Sequence, residues 1–559
     1  MTSKTRDPFV VTLTRAQQDA LGNWVGYEIR NADAARSNSV REVEYYWSLY
    51  EQARTRTARA VPWPDAADLT SFIPQEKVDA IQARLMRTVM VSPVYTVEGW
   101  GESADRAPFV EEFHAWKVEE ERLQKVLDKV SLTALVEPRC LLEVYESTET
   151  RLVRQTIHVA PTVNAMGGLT MGVDGSPELQ TGPDETYITA APNAMAVTTV
   201  VDTREQVRKG PQYRVLPYRD SLVFPGHARD EAEIWGYGKR CWKRKHDLQL
   251  AGEGTDAYYD ADAVARLTDV GDREPTPSLQ RAMMGIAAQG DHDTAEKELW
   301  ECVLLLDLSD LLTRLHQDPV PGLAASGPRW YVVTLHERDN ILLRLQHDDI
   351  DRSRFVNFIL FPRPDRATEG YSLVGHKLLT VTEEHTAYRN QCADRSSLAA
   401  NAPIKKVAGA LWDEDEQPWG PKAVITVRDH REIEQQVVQD VPVSLFNNID
   451  RCERTAERIA GVNDIASGQV AQQSRTLGEI QMATEQSFVR MDMIVRRFQE
   501  SMEDLGQIRH AIWQRCLAET TDGVDAPESV RVGLEGRGMD IDRYLPGGKM
   551  TAALLAGPF

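Results

Sequence analysis

Apolar residues recur at helical spacing through most of the first 135 positions. Ile73-Pro74-Gln75-Glu76-Lys77 opens a helix with proline in its first turn, and Val78, Ile81 and Leu85 share one face. After Ala107-Pro108, the series Phe109, Phe113, Trp116, Leu123, Val126, Leu127 and Val130 predicts further helix. From Leu141 to Val223 the texture changes to short β-like runs, such as Tyr187-Ile188-Thr189 and Ala196 to Val201, punctuated by glycine and proline. Residues 228–290 read as helix again, with an acidic, glycine-containing stretch at 252–273. Trp330 to Leu335 and Ile341 to Leu345 then flank a turn at Asp339-Asn340 and predict a hairpin, with Phe355 to Phe361 as a third strand. An isolated hairpin is marginal in water, so the 298–362 segment is expected to be stable only when assembled with further strands.

Past Gly370, the positions Val374, Leu378, Val381, His385, Tyr388, Cys392 and Ala399 nearly hold a 3.5-residue repeat, the mark of a narrow helix–helix seam. The clearest element follows. Leu477, Ile480, Phe488, Met491, Ile494, Phe498, Met502, Leu505, Ile508 and Ile512 predict one helix over 476–519, about 66 Å long at 1.5 Å per residue. It must pack along its length, as a core helix or as an oligomer contact. Residues 520–559 are rich in glycine and proline and read as a loosely attached tail, with a short strand at Val530-Arg531-Val532. No repeat of 20–50 residues is visible, which argues against a solenoid. The expected fold class is mixed α+β and helix-rich.

Composition narrows the function. With 42% hydrophobic and 27% charged residues in 559, the chain can bury a large core and is far from a disordered composition. At roughly 150 residues per domain it suggests about three or four folding units. Lys and Arg number 64 against 85 Asp and Glu, a formal charge of −21, which makes tight nucleic-acid binding unfavourable. The six cysteines stand alone, without a CxxC pair, as in reduced cytosolic proteins. MTSKTRDPFV is unlike a signal peptide. The most apolar run, Leu299 to Leu312, is broken by Glu301, Asp307 and Asp310, so no membrane span is expected.

Enzyme signatures fail one by one. Gly238-Lys239 has Glu233 where a P-loop needs its first glycine and Arg240 where it needs Ser or Thr. Cys241 replaces the third glycine of a dinucleotide fingerprint begun at Gly236 and Gly238. The histidines form no zinc-protease motif, and Glu384-His385 reads as a packing or solvated pair. Asp413 to Glu416 lack the calcium-loop glycine, its place being taken by Pro418. No nucleophile elbow occurs. Catalytic residues, cofactors and metal ligands are therefore not expected.

The main basic cluster is Lys239, Arg240, Lys243, Arg244, Lys245 and His246, with Trp242 among them. It could touch DNA or a neighbouring subunit, or form a solvated helix face paired with Asp230, Glu231 and Glu233. Arg475 and Glu479 lie four apart and can meet on one helical face, bracing the start of the long helix.

The order of elements resembles the portal (head-to-tail connector) proteins of tailed bacteriophages, especially podovirus-like portals, over roughly residues 25–520. The resemblance is carried by Trp63-Pro64-Asp65 with Ile73 to Ile81, by Val223-Phe224-Pro225-Gly226, and by Phe361-Pro362-Arg363-Pro364 leading to Gly370-Tyr371-Ser372. Gly461-Val462-Asn463-Asp464, Gly468 and Arg475-Thr476 with Glu479 complete it. It implies a ring of twelve subunits around a channel, built from wing, stem, clip and crown. Residues 1–227 would form the wing, 228–297 would include the first stem helix, and 298–369 would be the clip. Residues 370–400 would be the second stem helix, 401–443 the wing return and channel loop, 444–519 the crown and 520–559 a tail. Gly461, Gly468, Arg475 and Glu479 would be a structural crown motif, and Lys405 and Lys406 would sit near the channel.

The implied partners are further copies of the chain, the terminase large subunit, major capsid and scaffolding proteins, head–tail adaptor and tail proteins, and double-stranded DNA in transit. The expected location is the virion vertex, after assembly in the host cytoplasm, and the packaging motor's ATP hydrolysis would belong to a different protein. Two other readings stay open: a cytosolic scaffold or adaptor that binds partners along the 476–519 helix, and an enzyme whose site leaves no local signature.

Overall fold

The computed structural model describes residues 10–52, 66–91, 94–98, 106–159, 197–253, 258–268, 296–320, 327–348, 350, 353–409, most of 426–461, 477–518 and short pieces of 524–555. Of residues 148–159, 197–208 and 477–490 it describes the backbone alone.

Helix α1 (Arg15–Tyr50) starts on a reciprocal cap. The Thr14 hydroxyl accepts the Gln17 N–H, and the Gln17 side chain accepts the Thr14 N–H at 2.8 Å. Helices α2 (Ile73–Val89) and α3 (Ala107–Glu120) each carry proline in the first turn, as the sequence predicts, and α4 (Leu123–Val136) completes the helical start. Strands β1 (Cys140–Val159) and β2 (Val197–Leu216) pair antiparallel as a ribbon of 20 residues a side, about 66 Å long at 3.3 Å per residue.

Beyond Leu216 the chain builds a five-stranded antiparallel meander. Its strands are β3 (Ser221–Phe224), β4 (Gly236–Arg244), β5 (Glu296–Leu306), β6 (Arg329–His336) and β7 (Ile341–His347). Within the stretch 228–290, read as helical from the sequence, residues 236–244 are strand instead. The basic run is a strand, because β5 offers acidic partners across from it, Arg244 facing Glu296 and Lys239 facing Glu301. Among the described residues helix follows as α5 (Lys245–Glu253) and α6 (Ala261–Ala265), in keeping with the sequence, while residues 254–257 and 269–295 lie outside the described set. A short α7 (Leu308–Arg314) leads from β5 towards β6.

The β6–β7 hairpin exists as predicted, but it does not depend on other subunits for a sheet. β5 pairs with β6 along the strand within the same chain, from Leu299↔His336 to Leu306↔Arg329. The third strand, β8 (Phe355–Phe358), is shorter than expected and leaves the hairpin. It pairs with the base of β1, Cys140 opposite Phe358, so that β2, β1 and β8 form a second sheet.

A turn of π-helix, Leu373–Leu378, is capped by the Ser372 hydroxyl on the Gly375 N–H and runs into α8 (Leu379–Ala400). Val374, Leu378, Val381 and His385 are buried on the predicted seam. Two short strands, β9 (Ile404–Lys406) and β10 (Ile433–Gln435), pair antiparallel. Helix α9 (Val443–Ala460) ends on Gly461 in the left-handed region, at φ 70°. The 42-residue α10 (Leu477–Ala518) matches the predicted long helix, and Met491, Ile494, Phe498, Met502, Leu505, Ile508 and Ile512 are all buried. The tail is a correction. β11 (Val524–Asp525) pairs with β12 (Lys549–Met550), and between them Val530-Arg531-Val532 belongs to α11 (Glu528–Gly536), a helix whose Val530 and Leu534 bury against the body.

Two hydrophobic cores result. The larger joins α2, α3, α4, α9, α10, β8, the base of β1 and the π-helical turn, and the smaller joins α1 to the five-stranded sheet. Helix α1 belongs to both. Leu21, Val25, Ile29 and Ala32 pack on the sheet, whereas Val43 and Tyr46 lie in the larger core. At about 54 Å for 36 residues it is the spine between them.

The β6–β7 turn is seated on this spine. A Cβ at Gly22 would stand 2.4 Å from the Asn340 carbonyl oxygen, and one at Gly26 would stand 2.2 Å from the Asn340 side chain. Gly→Ala in an open helix gains up to about 1 kcal/mol, yet Gly22→Ala should destabilise by about 1–3 kcal/mol because backbone blocks the new methyl. Urea unfolding of the two proteins reads the sign directly, and a stabilised variant would refute the close approach.

Candidate functional site

The basic cluster resolves into cross-strand ion pairs. Lys239 is buried on β4, bonded to Glu143 of β1 and 3.3 Å from Glu301 of β5. Arg240 meets Glu298 at 3.0 Å and lies over the Trp300 ring, 5.0 Å from its centroid. Lys243 donates to the Tyr259 hydroxyl at 2.6 Å, and Lys245 donates to the Leu267 carbonyl at 2.6 Å. Arg244 sits 3.9 Å from Glu296 and keeps most of its side chain in solvent. Burial alone would push the Glu301 carboxyl up, but Lys239, Lys243 and Arg344 hold it below its usual value. The helix-face reading of this cluster needs correction. Lys239 to Arg244 lie on strand β4, with Lys239 and Arg240 paired to acids of β1 and β5 inside the chain, and only Lys245 and His246 begin a helix.

Lys405 and Lys406 lie together on β9. Both are exposed, at the neck of a two-stranded ribbon between α8 and α9, with Glu434 paired opposite Lys405. The Gln436 N–H donates to the Pro403 carbonyl at 2.9 Å and closes the neck. Val407, next to Lys406 in the chain, is exposed, as are Val443 and Phe446 of α9. Of the crown motif, Gly461 is the left-handed cap of α9. Gly468 and Arg475 lie outside the described residues, and Glu479 is in α10 without a described side chain.

The most developed polar site lies where the two cores meet, and none of its side chains was singled out from the sequence as a site. Arg36 of α1 donates to Asp33 at 2.7 Å, to the Ser221 carbonyl at 2.6 Å, to the Arg219 carbonyl at 2.8 Å and to the Tyr218 carbonyl. Arg139, just before β1, donates to the same Ser221 carbonyl and to the Thr368 carbonyl, each at 2.8 Å. The two guanidinium carbons lie 5.8 and 5.0 Å from the Tyr218 ring centroid. The Tyr218 hydroxyl donates to Glu369, which also accepts from Arg363 at 3.1 Å and Arg366 at 2.9 Å. Glu137 accepts from the Trp47 indole and the Tyr218 N–H, each at 2.8 Å.

Segments that carry the sequence resemblance converge here. Phe361 to Gly370 is tied to the 224–228 turn by the Ala367 N–H on the Ala228 carbonyl, and to the α4–β1 link by the Gly370 N–H on the Pro138 carbonyl. Ser372 donates to the Val136 carbonyl. Trp63-Pro64-Asp65 lies outside the described residues. The sequence signal for the hub was faint: single charged residues, Glu137 and Arg139, set directly against the apolar run Cys140-Leu141-Leu142.

A second buried network ties α10 to α3 and β2. Arg509 pairs with Glu121 at 3.0 Å and donates to the Tyr213 hydroxyl at 2.6 Å, while Trp513 donates to Glu121 at 2.9 Å. His114 and His510 meet ring to ring at 3.1 Å, and burial, with Arg509 and His510 nearby, holds His114 neutral. Among the described residues no group of three or more His, Cys, Asp or Glu is placed to hold a metal ion, and no helix is long and apolar enough to cross a membrane.

The family model described as phage SU10 portal protein matches residues 115–522, well over half of the chain. No curated protein matches it.

Two substitutions test these assignments. Lys239→Met strands Glu143 and Glu301 without their buried cation and should cost about 3–5 kcal/mol in denaturant unfolding, whereas Arg244→Ala should change stability by less than about 0.5 kcal/mol. Equal effects would refute the distinction between them.

Burial raises the Glu137 carboxyl to about 7, against the opposing pull of its two N–H donors and Arg139. Between pH 4.5 and 7 the folded state thus keeps a proton that the unfolded state has released, and stability falls as pH rises through that window. Glu137→Gln should remove a decline of about 3 kcal/mol. Unfolding midpoints at pH 5 and pH 7.5 show it, and parallel pH profiles for the two proteins would sink the assignment.

Proposed function

The chain belongs to the phage SU10 portal protein family, a structural family of bacteriophage virion components, and from that premise we propose that twelve copies form a ring that conducts double-stranded DNA. The ring seats at one capsid vertex after assembly in the host cytoplasm. Its partners are the major capsid and scaffolding proteins, the terminase large subunit during packaging, and head–tail adaptor and tail proteins afterwards. In this reading residues 1–227 belong to the wing, the 298–369 segment docks the motor and then the adaptors, 370–400 is a stem helix, 401–443 approaches the channel and 444–519 contributes the crown.

The observation that carries this reading is the extent of the family match, from α3 to the end of α10. The charge pattern agrees with it. DNA must slide through a portal, and tight phosphate contacts would act as a brake. A chain of charge −21 in which Lys239 and Arg240 of the main basic cluster are paired internally offers few such contacts. The exposed Lys405-Lys406 pair at the neck of the β9–β10 ribbon is the contact point we assign to passing DNA.

Native mass measurement with negative-stain imaging should show a particle near twelve times 62.9 kDa with a central hole. A monomer or dimer that persists at high concentration and varied salt would reject the conduit. Lys405→Glu with Lys406→Glu should assemble normally and retain several-fold less nuclease-protected DNA in heads. Wild-type DNA content in such heads would remove these lysines from the channel.

A further inference from the structure

Arg139 is fully enclosed, yet none of its hydrogen bonds goes to a carboxylate. Its terminal nitrogens take the carbonyls of Thr368 and Ser221 and the Ser221 hydroxyl. Its Nε–H has no acceptor among the described residues. Arg36 shares the Ser221 carbonyl, so two buried guanidinium groups converge on one neutral oxygen, and Asp33 bonds only the first of them. Burial lowers the pKa of both, and Arg139 adds to the cost of charging Arg36, while Tyr218, Glu369 and Glu137 favour the charge on Arg139 from nearby without a carboxylate bonding it. A buried N–H left unmade is expensive, the more so on a charged group.

Beside these groups lies a pocket with room for about one water-sized group, its wall including Ala32, Arg36, Arg139, Gly226, Arg366 and Thr368. Glu369 also lies on the wall, but its carboxylate is held by Arg363, Arg366 and the Tyr218 hydroxyl. Ala35, exposed, and Arg366, 39% exposed at the side chain, stand at the solvent side and give an entry path. Water would supply the missing acceptor alone. A small anion would supply the acceptor together with a negative charge bonded directly to the Arg139 guanidinium, whose present hydrogen-bond partners are all neutral.

We infer that this pocket binds a monovalent, water-sized anion of the chloride class, accepting from Arg139 Nε–H between the guanidinium groups of Arg36 and Arg366. Bound there, it strengthens the seam between the two cores, because Arg36 comes from α1, Arg139 from the head of β1 and Arg366 from the segment leading to α8. Sulfate and phosphate are too large for the space. The inference rests on the hub's geometry and is independent of the DNA-conduit reading.

The test uses the full chain. Thermal unfolding is followed at equal ionic strength in sodium gluconate, sodium sulfate, sodium chloride and sodium bromide. The midpoint should rise saturably with chloride and bromide and not with gluconate or sulfate. Arg366→Gln, at the rim, should raise the chloride concentration for half effect by about tenfold, the size of one charge-assisted hydrogen bond. Bromide soaked into crystals should give anomalous density at hydrogen-bonding distance from Arg139 Nε. This last readout does not depend on any variant folding. Coincident curves in all four salts, an equal rise with sulfate, an unshifted half-effect concentration in Arg366→Gln, or bromide found only elsewhere would each overturn the site.

Discussion

Two arginines from distant parts of the chain share the Ser221 carbonyl oxygen, and the arrangement of the molecule depends on that junction. Arg36 sits on α1 between the part that packs on the five-stranded sheet and the part that enters the larger core. Arg139 stands at the head of β1, where the helical start of the chain turns into the long ribbon. Neither core alone would fix the angle between them, because hydrophobic contact is non-directional. Hydrogen bonds from planar guanidinium groups are directional. The junction sets the geometry, while burial in the two cores supplies most of the stabilisation, about 1.5–3 kcal/mol for each fully buried large side chain.

The same chain manages charge with one device used repeatedly. On β4 and β5 opposite charges face each other across the strands, Lys239 with Glu301 and Arg244 with Glu296. The backbone register of the outer ribbon does likewise, setting Glu149 against Arg208, Arg151 against Glu205 and Arg154 against Asp202. On β4 the charges of Lys239 and Arg240 are thus taken up by acids of the same chain. In the ring proposed above, weak phosphate contact would be the useful state for passing DNA.

Position along the chain is a poor guide to which core a segment serves. The stretch 298–362 reads as one small β unit, yet β5, β6 and β7 complete the five-stranded sheet while β8 pairs with β1 in the other. The tail reads as loose, yet α11 and the residues Leu545, Met550 and Leu555 join the larger core. Each case has the same cause. A short apolar segment advertises that it will be buried, but its sequence does not say against what.

What the sequence determined by itself was local. Periodicity fixed α2 and α10 closely, since helical spacing of Val78, Ile81, Leu85 and of Met491 through Ile512 is a property of neighbouring residues. The β6–β7 hairpin was legible for the same reason, and the family could be recognised from the order of elements. The basic run at 239–244 was misread because lysine and arginine suit an exposed helix face as well as a strand. Only acids on β5, more than fifty residues away, made it a strand. The hub was invisible because its charges lie one by one in separate segments, and a single arginine beside an apolar run has no local partner to announce it. Tertiary structure alone brought Arg36, Arg139, Tyr218 and Glu369 together, because the energy of a buried charge is decided by what surrounds it in space.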